Sequence, residues 1–358
     1  MKNKPTILYG ILNWGLGHAT RSIPIIHKLL EHGFEVVICS DGLALDFLKK
    51  EFPDLATEPL RGYNVKYRKG MGQIWGLTGQ LPKIYTAMKA EHRAVKKLVE
   101  KYKATAVISD NRLEFYHKDL PSVYITHQLK IIMPLNTDFA SALHHRFIRK
   151  FDVCWVPDFG GEGISGAIGH ELKPKIPVEY IGPCSRFTEA IPTKVEKKYR
   201  IATILSGPEP QRTLLETKLL KELSKLEGQH LMIRGTDRPM KVEIPENVKV
   251  KDLVGAEGVY DAISKAKTTI SRSGYSSLMD YYALKNHALL IPTPGQPEQE
   301  YLARFQLHKG RFAYVGQDYI NLPEDLAKAE MYKGFKDIES KETDWERLFS
   351  FLKSKGES

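Results

Sequence analysis

An alternation of two patterns constrains this chain more than any other feature. Short runs rich in Val and Ile give way to amphipathic stretches, beginning with Thr6–Leu12, Ala19–Glu31 and Phe34–Cys39. Apolar strands separated by helices read as βαβ units, which place parallel strands in one sheet with helices on both faces. Ala104–Ser109, Ser122–Thr126 and Val153–Val156 continue the rhythm, so residues 1–182 are expected to form one doubly wound domain. Gly182–Tyr199 breaks it with two prolines and a cluster of charges, and reads as a linker over residues 183–199.

A second rhythm then starts. Strands at Ile201–Leu205, His230–Ile233, Thr268–Ile270 and Ala288–Ile291 alternate with helices at Arg212–Leu226, Val259–Lys265, Ser276–Ala283 and Glu298–Lys309. The expected architecture is α/β: two tandem Rossmann-like domains, the second over 200–340, facing a cleft at the carboxyl ends of their strands. Trp345–Lys353, within 341–358, reads as a basic amphipathic helix packing back towards the N-terminal domain.

At 358 residues, 42% hydrophobic and 27% charged, the composition excludes disorder, collagen and a disulfide scaffold. Cys39, Cys154 and Cys184 form no CxxC pair, which points to a reducing compartment and away from structural zinc. No apolar run approaches the roughly 20 residues a bilayer span needs, and the N-terminus lacks a signal-peptide pattern. A cytoplasmic protein is expected, with any membrane contact peripheral on the inner face. Residues 1–182 hold 25 Lys and Arg against 18 Asp and Glu, which supplies most of the net charge of +10. That suits a nucleotide, an acidic glycan or an anionic membrane surface; a solubilising face is the alternative. Nothing resembles a nucleic-acid-binding module, so no nucleic-acid partner is expected.

The first strand is followed by Asn13-Trp14-Gly15-Leu16-Gly17-His18-Ala19-Thr20-Arg21. Gly15 and Gly17 permit close backbone approach, and a helix N-terminus offers N–H groups and a positive dipole to an anion. A dinucleotide fingerprint needs glycine where Thr20 stands, which argues against NAD although Asp41 lies near the acidic position. His18 at a helix start can accept a proton near neutral pH. Asp110-Asn111 ends another strand, where the carboxylate either orients His18 or serves a turn or helix N-cap. Thr126-His127-Gln128 closes the next strand, and His127 joins the candidates.

In the second half, Ser206-Gly207-Pro208-Glu209-Pro210 and Ser271-Arg272-Ser273-Gly274 each follow a strand and precede a helix, as a phosphate site requires. Asp280 follows on the next helix. Pro292-Thr293-Pro294-Gly295-Gln296-Pro297-Glu298-Gln299-Glu300 feeds a helix that opens with side chains able to grip hydroxyls, or is simply a well-capped helix start, since Pro and Glu are common in first turns. Arg61–Gln80 carries five glycines, four basic residues, Tyr63, Tyr67 and Trp75. It reads either as an acceptor loop or as a surface excursion whose aromatics pack on the domain.

These motifs resemble the GT-B glycosyltransferases, within that fold most nearly the family 28 type that adds N-acetylglucosamine to lipid I. The chain also resembles a group of bacterial and archaeal proteins that open with a G-x-G-H-A-T-R-S turn. The resemblance implies that Gly15, Gly17 and His18 lie under the donor diphosphate and acceptor. It places Arg186 and the Arg272-Ser273-Gly274 turn near the nucleotide, Asp280 on the ribose hydroxyls, and Gln299 with Glu300 on the sugar. Ser206 and Gly207 stand where the family has a glycine-rich diphosphate loop, and Glu300 where it has a second Gln.

The His/Asp dyad of plant and antibiotic glycosyltransferases resembles His18 with Asp110. The implied reaction is an inverting transfer from a nucleoside diphosphate sugar, UDP first, to a hydroxyl of a lipid-linked or cell-envelope glycan. His18 and Asp110 carry the catalysis, and Asn111, His127, Tyr63 and Trp75 line the acceptor side. No DxD triplet occurs, so neither a catalytic metal nor a cofactor is expected beyond the nucleotide sugar. The same turn resembles a UDP-sugar hydrolase, where His18 activates water, and, more distantly, a 2-epimerase. A non-catalytic nucleotide-sugar-binding protein is the third alternative.

Overall fold

Thr6–Ile11 (β1) is buried along its whole length, as a strand covered on both faces must be. This computed structural model describes residues 4–63, 81–133, 136–187, 195–240, 242–339 and 342–353. The chain divides into two compact units, Met1–Arg186 with Ser340–Ser358, and Phe187–Glu339.

In the first unit β1 leads through Gly17–Glu31 (α1), which buries Ala19, Ile23 and Ile26 along one face, to Glu35–Ser40 (β2). Gly42–Glu51 (α2) and Thr57–Pro59 (β3) follow, then Leu81–Tyr102 (α3) and Ala106–Asp110 (β4). Ser122–Ile125 (β5), Thr137–Ile148 (α4), Val153–Val156 (β6), Ala167–His170 (α5) and Val178–Tyr180 (β7) complete the sheet. Its order is β3-β2-β1-β4-β5-β6-β7, with parallel pairing throughout. Leu8, Val37, Val107 and Phe115 pack with Val95 and Leu98 of α3. Gly10 has no room for a side chain, because a Cβ there would lie 2.5 Å from the Phe115 ring.

The second unit runs Tyr199–Ile204 (β8), Gln211–Leu223 (α6), His230–Ile233 (β9), Val248–Lys251 (β10), Ala256–Lys265 (α7) and Ala266–Ser271 (β11). Tyr275–Ala283 (α8), Ala288–Leu290 (β12), Pro297–His308 (α9), Ala313–Tyr314 (β13) and Leu322–Ala329 (α10) follow. The sheet order is β10-β9-β8-β11-β12-β13, again parallel. Ile201, Met232, Ile270 and Leu289 pack with Leu215, Leu219 and Leu322. Two α/β units with parallel, doubly wound sheets are the expected fold class.

The sequence reading lacks four strands: β3, β7, β10 and β13. These are the four sheet edges. An edge strand is short and covered by a neighbour on one side only, so it carries neither the length nor the apolar run that marks a central strand.

The C-terminal helix Trp345–Lys353 (α11) buries Leu348, Phe349 and Leu352. The Phe349 ring lies with its centroid 5.0 Å from His32, 5.7 Å from Phe34 and 6.1 Å from Trp155. Thr343 Oγ1 donates to the Ile181 carbonyl at 2.8 Å just before the helix. With Phe349 at 1% exposure, Phe349→Ala should cost the first unit about 3–5 kcal/mol. All four tryptophans belong to that unit, so urea unfolding followed by tryptophan fluorescence reads it selectively. A midpoint unchanged by the substitution would show that the helix contributes nothing to the unit.

Candidate active site

In an open parallel sheet a ligand crevice forms where the strand order reverses, because the helices on either side leave in opposite directions. The first sheet reverses between β1 and β4, and the second between β8 and β11. The residues following those four strands therefore border the crevices.

After β1 the chain turns through Gly15, whose φ of 72° is in the left-handed region that favours glycine. Gly17 opens α1, which has no side-chain cap at its N-terminus. One residue on, the His18 side chain is 14% exposed and its Nδ1 lies 2.6 Å from Asp110 Oδ1. Asp110, the last residue of β4, is fully buried. The carboxylate also takes Arg21, whose Nε donates to Oδ2 at 2.6 Å and whose Nη2 donates to Oδ1. Arg21 Nη1 lies 2.9 Å from Nδ1 of the buried His127, two residues past the end of β5.

Asn111 has a φ of 56°, and its Oδ1 accepts from the Tyr124 hydroxyl at 2.9 Å. Its side chain is thus bound into the strand-end turn. Arg21 is missing from the site residues read from the sequence. The signal was present, because a residue three positions after His18 on a helix shares its face.

Behind this group stands a second buried arginine. Arg112 donates to Glu91 on α3, to Asp41 at 2.8 Å and to the carbonyls of Arg61 at 3.0 Å and Ile11 at 3.3 Å. Asp41 also accepts from Asn13 at 3.1 Å, so the acidic residue that a dinucleotide site would use is bound by its own fold. Tyr63 donates to Glu91 at 2.8 Å, and its ring centroid lies 5.4 Å from the Arg112 guanidinium. Burial, with Glu91 beside it, pushes that phenol well above its ordinary value. Tyr63 is therefore a brace, which favours the packing reading for this end of the Arg61–Gln80 segment. Residues 64–80 of that segment, Trp75 among them, lie outside the described residues.

In the second unit, Ser206 and Gly207 follow β8 and are exposed, with Gly207 at a φ of 105°. Arg272 follows β11 at 1% exposure. Its guanidinium donates to the carbonyls of Ile291 and Pro292, each at 3.2 Å, to the Gln211 carbonyl at 2.9 Å and to Gln317 Oε1 at 2.8 Å. None of these acceptors is charged, and burial brings its pKa down to about 10.

Ser273 Oγ donates to the Gln299 carbonyl at 2.8 Å, Gln299 Oε1 accepts the Thr293 N–H at 2.9 Å, and Glu300 Oε1 accepts the Gly295 N–H at 2.9 Å. Those three groups hold the turn after β12 in shape. Gly274 begins α8 without a side-chain cap, and Asp280 is buried on that helix. Arg186 is partly buried at the end of the first unit.

The two leading groups shift in ways that suit a base and its support. Burial pushes the His18 pKa below its ordinary value and the Arg21 charge adds to that, with Asp110 opposing both. For Asp110 burial acts upwards, but Arg21 and His18 outweigh it and hold the carboxyl at about 2. A carboxyl depressed from an unfolded value near 3.9 contributes stability above pH ~4 that is lost as pH falls towards 2. Asp110→Asn leaves Arg21 buried without its counter-charge, which should cost about 3–5 kcal/mol at pH 7. That deficit should narrow as both proteins are unfolded in urea at successively lower pH, because only the wild type loses the ion pair. A deficit constant from pH 7 to 3 rules out an Asp110 held ionised by the pair.

Residues 5–151 match the family model described as glycosyl transferase family 1. No curated protein matches the chain by sequence. Among solved structures, MurG of Acinetobacter baumannii superposes over 92% of this chain and 92% of its own, at 14% identity and a TM-score of 0.54. The spinosyn rhamnosyltransferase SpnG in complex with thymidine diphosphate does so over 98% and 96%, at 14% identity and 0.61. UGT89C1 of Arabidopsis thaliana in complex with UDP-L-rhamnose covers 99% and 94%, at 12% identity and 0.61. At such identities the likeness is one of fold, and it extends over nearly all of each chain. The protein thus has the GT-B glycosyltransferase fold of two Rossmann-like units.

Proposed function

We propose that the protein transfers a sugar, with inversion, from a nucleoside diphosphate donor to an acceptor hydroxyl, with His18 as the general base. The observation that carries this reading is the 2.6 Å contact between His18 Nδ1 and Asp110 at the point where the first sheet reverses. An ionised carboxylate accepts only, so Nδ1 carries the proton and Nε2 keeps a lone pair. Asp110 orients the ring and stabilises the imidazolium that forms when the acceptor hydroxyl gives up its proton. The sugar then passes to the acceptor oxygen as its bond to the diphosphate breaks, and the diphosphate leaves with the electron pair.

Residues 1–182 supply the acceptor side in this reading and residues 200–340 the donor side. The donor anion is served by the uncapped N-terminus of α8, by the exposed Ser206-Gly207 turn and by the charge of Arg272, which no carboxylate among the described residues offsets. Gln299, Glu300 and Ser273 act there through the turn they hold. UDP and thymidine diphosphate sugars are the first donors to try, since solved structures of the same fold carry UDP-L-rhamnose and thymidine diphosphate. The basic balance of residues 1–182 supports an anionic acceptor, in the first instance a lipid-linked or envelope glycan at a membrane surface. No helix among the described residues is long and apolar enough to cross a membrane.

A panel of UDP- and thymidine diphosphate sugars, read by thermal shift, selects the donor, because a ligand that binds only the native state raises its melting temperature. With that donor, His18→Asn should lower turnover by about 10²–10⁴-fold while the shift persists. Undiminished turnover would remove His18 as the base, and free sugar released at the full rate without acceptor would make the enzyme a hydrolase. Because the folded pKa of His18 lies below 6.5, kcat/KM should be flat through pH 7–8 and fall only on the acid side of 6.5.

A further inference from the structure

We propose that Arg21 is a positioning residue that fixes two histidines in opposite tautomers and keeps His18 uncharged by neutralising Asp110. The kinetic consequence rests on His18 being the base; the tautomers themselves can be read without turnover.

A guanidinium only donates hydrogen bonds. Arg21 Nη1 lies 2.9 Å from His127 Nδ1, so that nitrogen accepts and neutral His127 carries its proton on Nε2. His18 is the reverse case, with Nδ1 donating to Asp110 Oδ1. Arg21 Nη2 also approaches His18 Nδ1, at 2.9 Å, but the contact with Asp110 is 2.6 Å. The shorter one decides, since a nitrogen lone pair held that close to a carboxylate oxygen is repelled. One ion pair therefore gives His18 an acceptor at Nε2 and His127 a donor at Nε2. The two histidines are not interchangeable as bases, although each follows a central strand.

The charge argument has the same source. Arg21 grips both oxygens of Asp110, so protonating His18 puts a second cation beside the first. The other titratable groups around the cluster do not offset it. Burial pushes up the Tyr9 phenol on β1, which also feels the Asp110 charge, and the Cys184 thiol, the latter to about 12. Beyond His127, burial and His145 bring His144 down to about 4. All three are uncharged near neutral pH, which leaves Arg21 and Asp110 as the charged members.

The test uses the full chain labelled with ¹⁵N-histidine. Long-range proton–nitrogen spectra at pH 7.5 distinguish the tautomers of the 12 histidines, and His18→Gln and His127→Gln identify two of them by the signals they lose. His18 should report a protonated Nδ1 and His127 a protonated Nε2. The same tautomer at both, or a charged His127, overturns the proposal without any variant of Arg21 having to fold. Arg21→Gln should then raise the NMR titration of His18 by roughly 1–3 pH units, the size expected of a charge within a few ångströms, and Arg21→Lys should bring it back down. Reduced turnover in Arg21→Gln with the His18 titration unmoved would leave Arg21 a purely structural role. Opposite tautomers in a protein that consumes no donor would sink the proposed function and leave this inference standing.

Discussion

Two opposite charges, Arg21 and Asp110, are buried together at the carboxyl ends of the central strands of the first sheet, and the candidate site is arranged around them. Taking either from water alone costs several kcal/mol, so neither persists there without the other. The fork of the guanidinium fixes the carboxylate plane, and the carboxylate in turn fixes the imidazole of His18. His127 is held through the remaining arm of Arg21. A core of Leu and Val would stabilise the strand ends at least as well. What the ion pair adds is direction, since the hydrogen bonds it makes to His18 and His127 specify which nitrogen of each ring is protonated.

The position of the pair follows from the topology. A strand continued by a right-handed crossover sends its helix to one face, and reversal of the strand order sends the next helix to the other. The ends of β1 and β4 are consequently left uncovered by helix bodies, and that is where His18 and Asp110 stand. Arg112 then closes the floor by tying β1, α3 and the start of α2 to the turn after β4. Ser109 fixes the turn itself, donating to the Arg112 carbonyl at 2.6 Å and accepting the Arg112 N–H at 3.1 Å. The left-handed Asn111 is enclosed within it.

The central strands and long helices of both sheets could be read from the chain because burial on two faces demands long apolar runs. Edge strands such as Ala313–Tyr314 could not, since two residues paired on one side carry no periodicity. The glycine turn and His18 were visible as a motif, and Asp110 as a carboxylate ending a strand. Arg21 stood in the same motif, but an arginine on a helix suggests solvent until its partner is known to be buried. For Tyr63 the chain left two readings open, ligand contact or packing on the domain, and Glu91 and Arg112, 28 and 49 positions further along, are what hold it. Partners that distant in sequence leave no local trace.

The two units treat buried arginine differently, and the contrast bears on what each can bind. Arg21 and Arg112 in the first are more than matched by Asp110, Glu91 and Asp41, so that region holds no uncompensated positive charge. In the second, Arg212 and Arg234 share Glu216, and Arg311 takes Asp337. Arg272, at the end of β11, meets only carbonyl and amide oxygens among the described residues. Its own pKa records the cost, lowered to about 10 by burial. A cation left in that state is stabilised by any anion that reaches the adjoining strand ends, and the gain is larger because neutral neighbours screen less than water. On the proposed function, an uncharged base in one unit and an uncompensated positive charge in the other are the two electrostatic requirements of moving a sugar from a diphosphate to a hydroxyl.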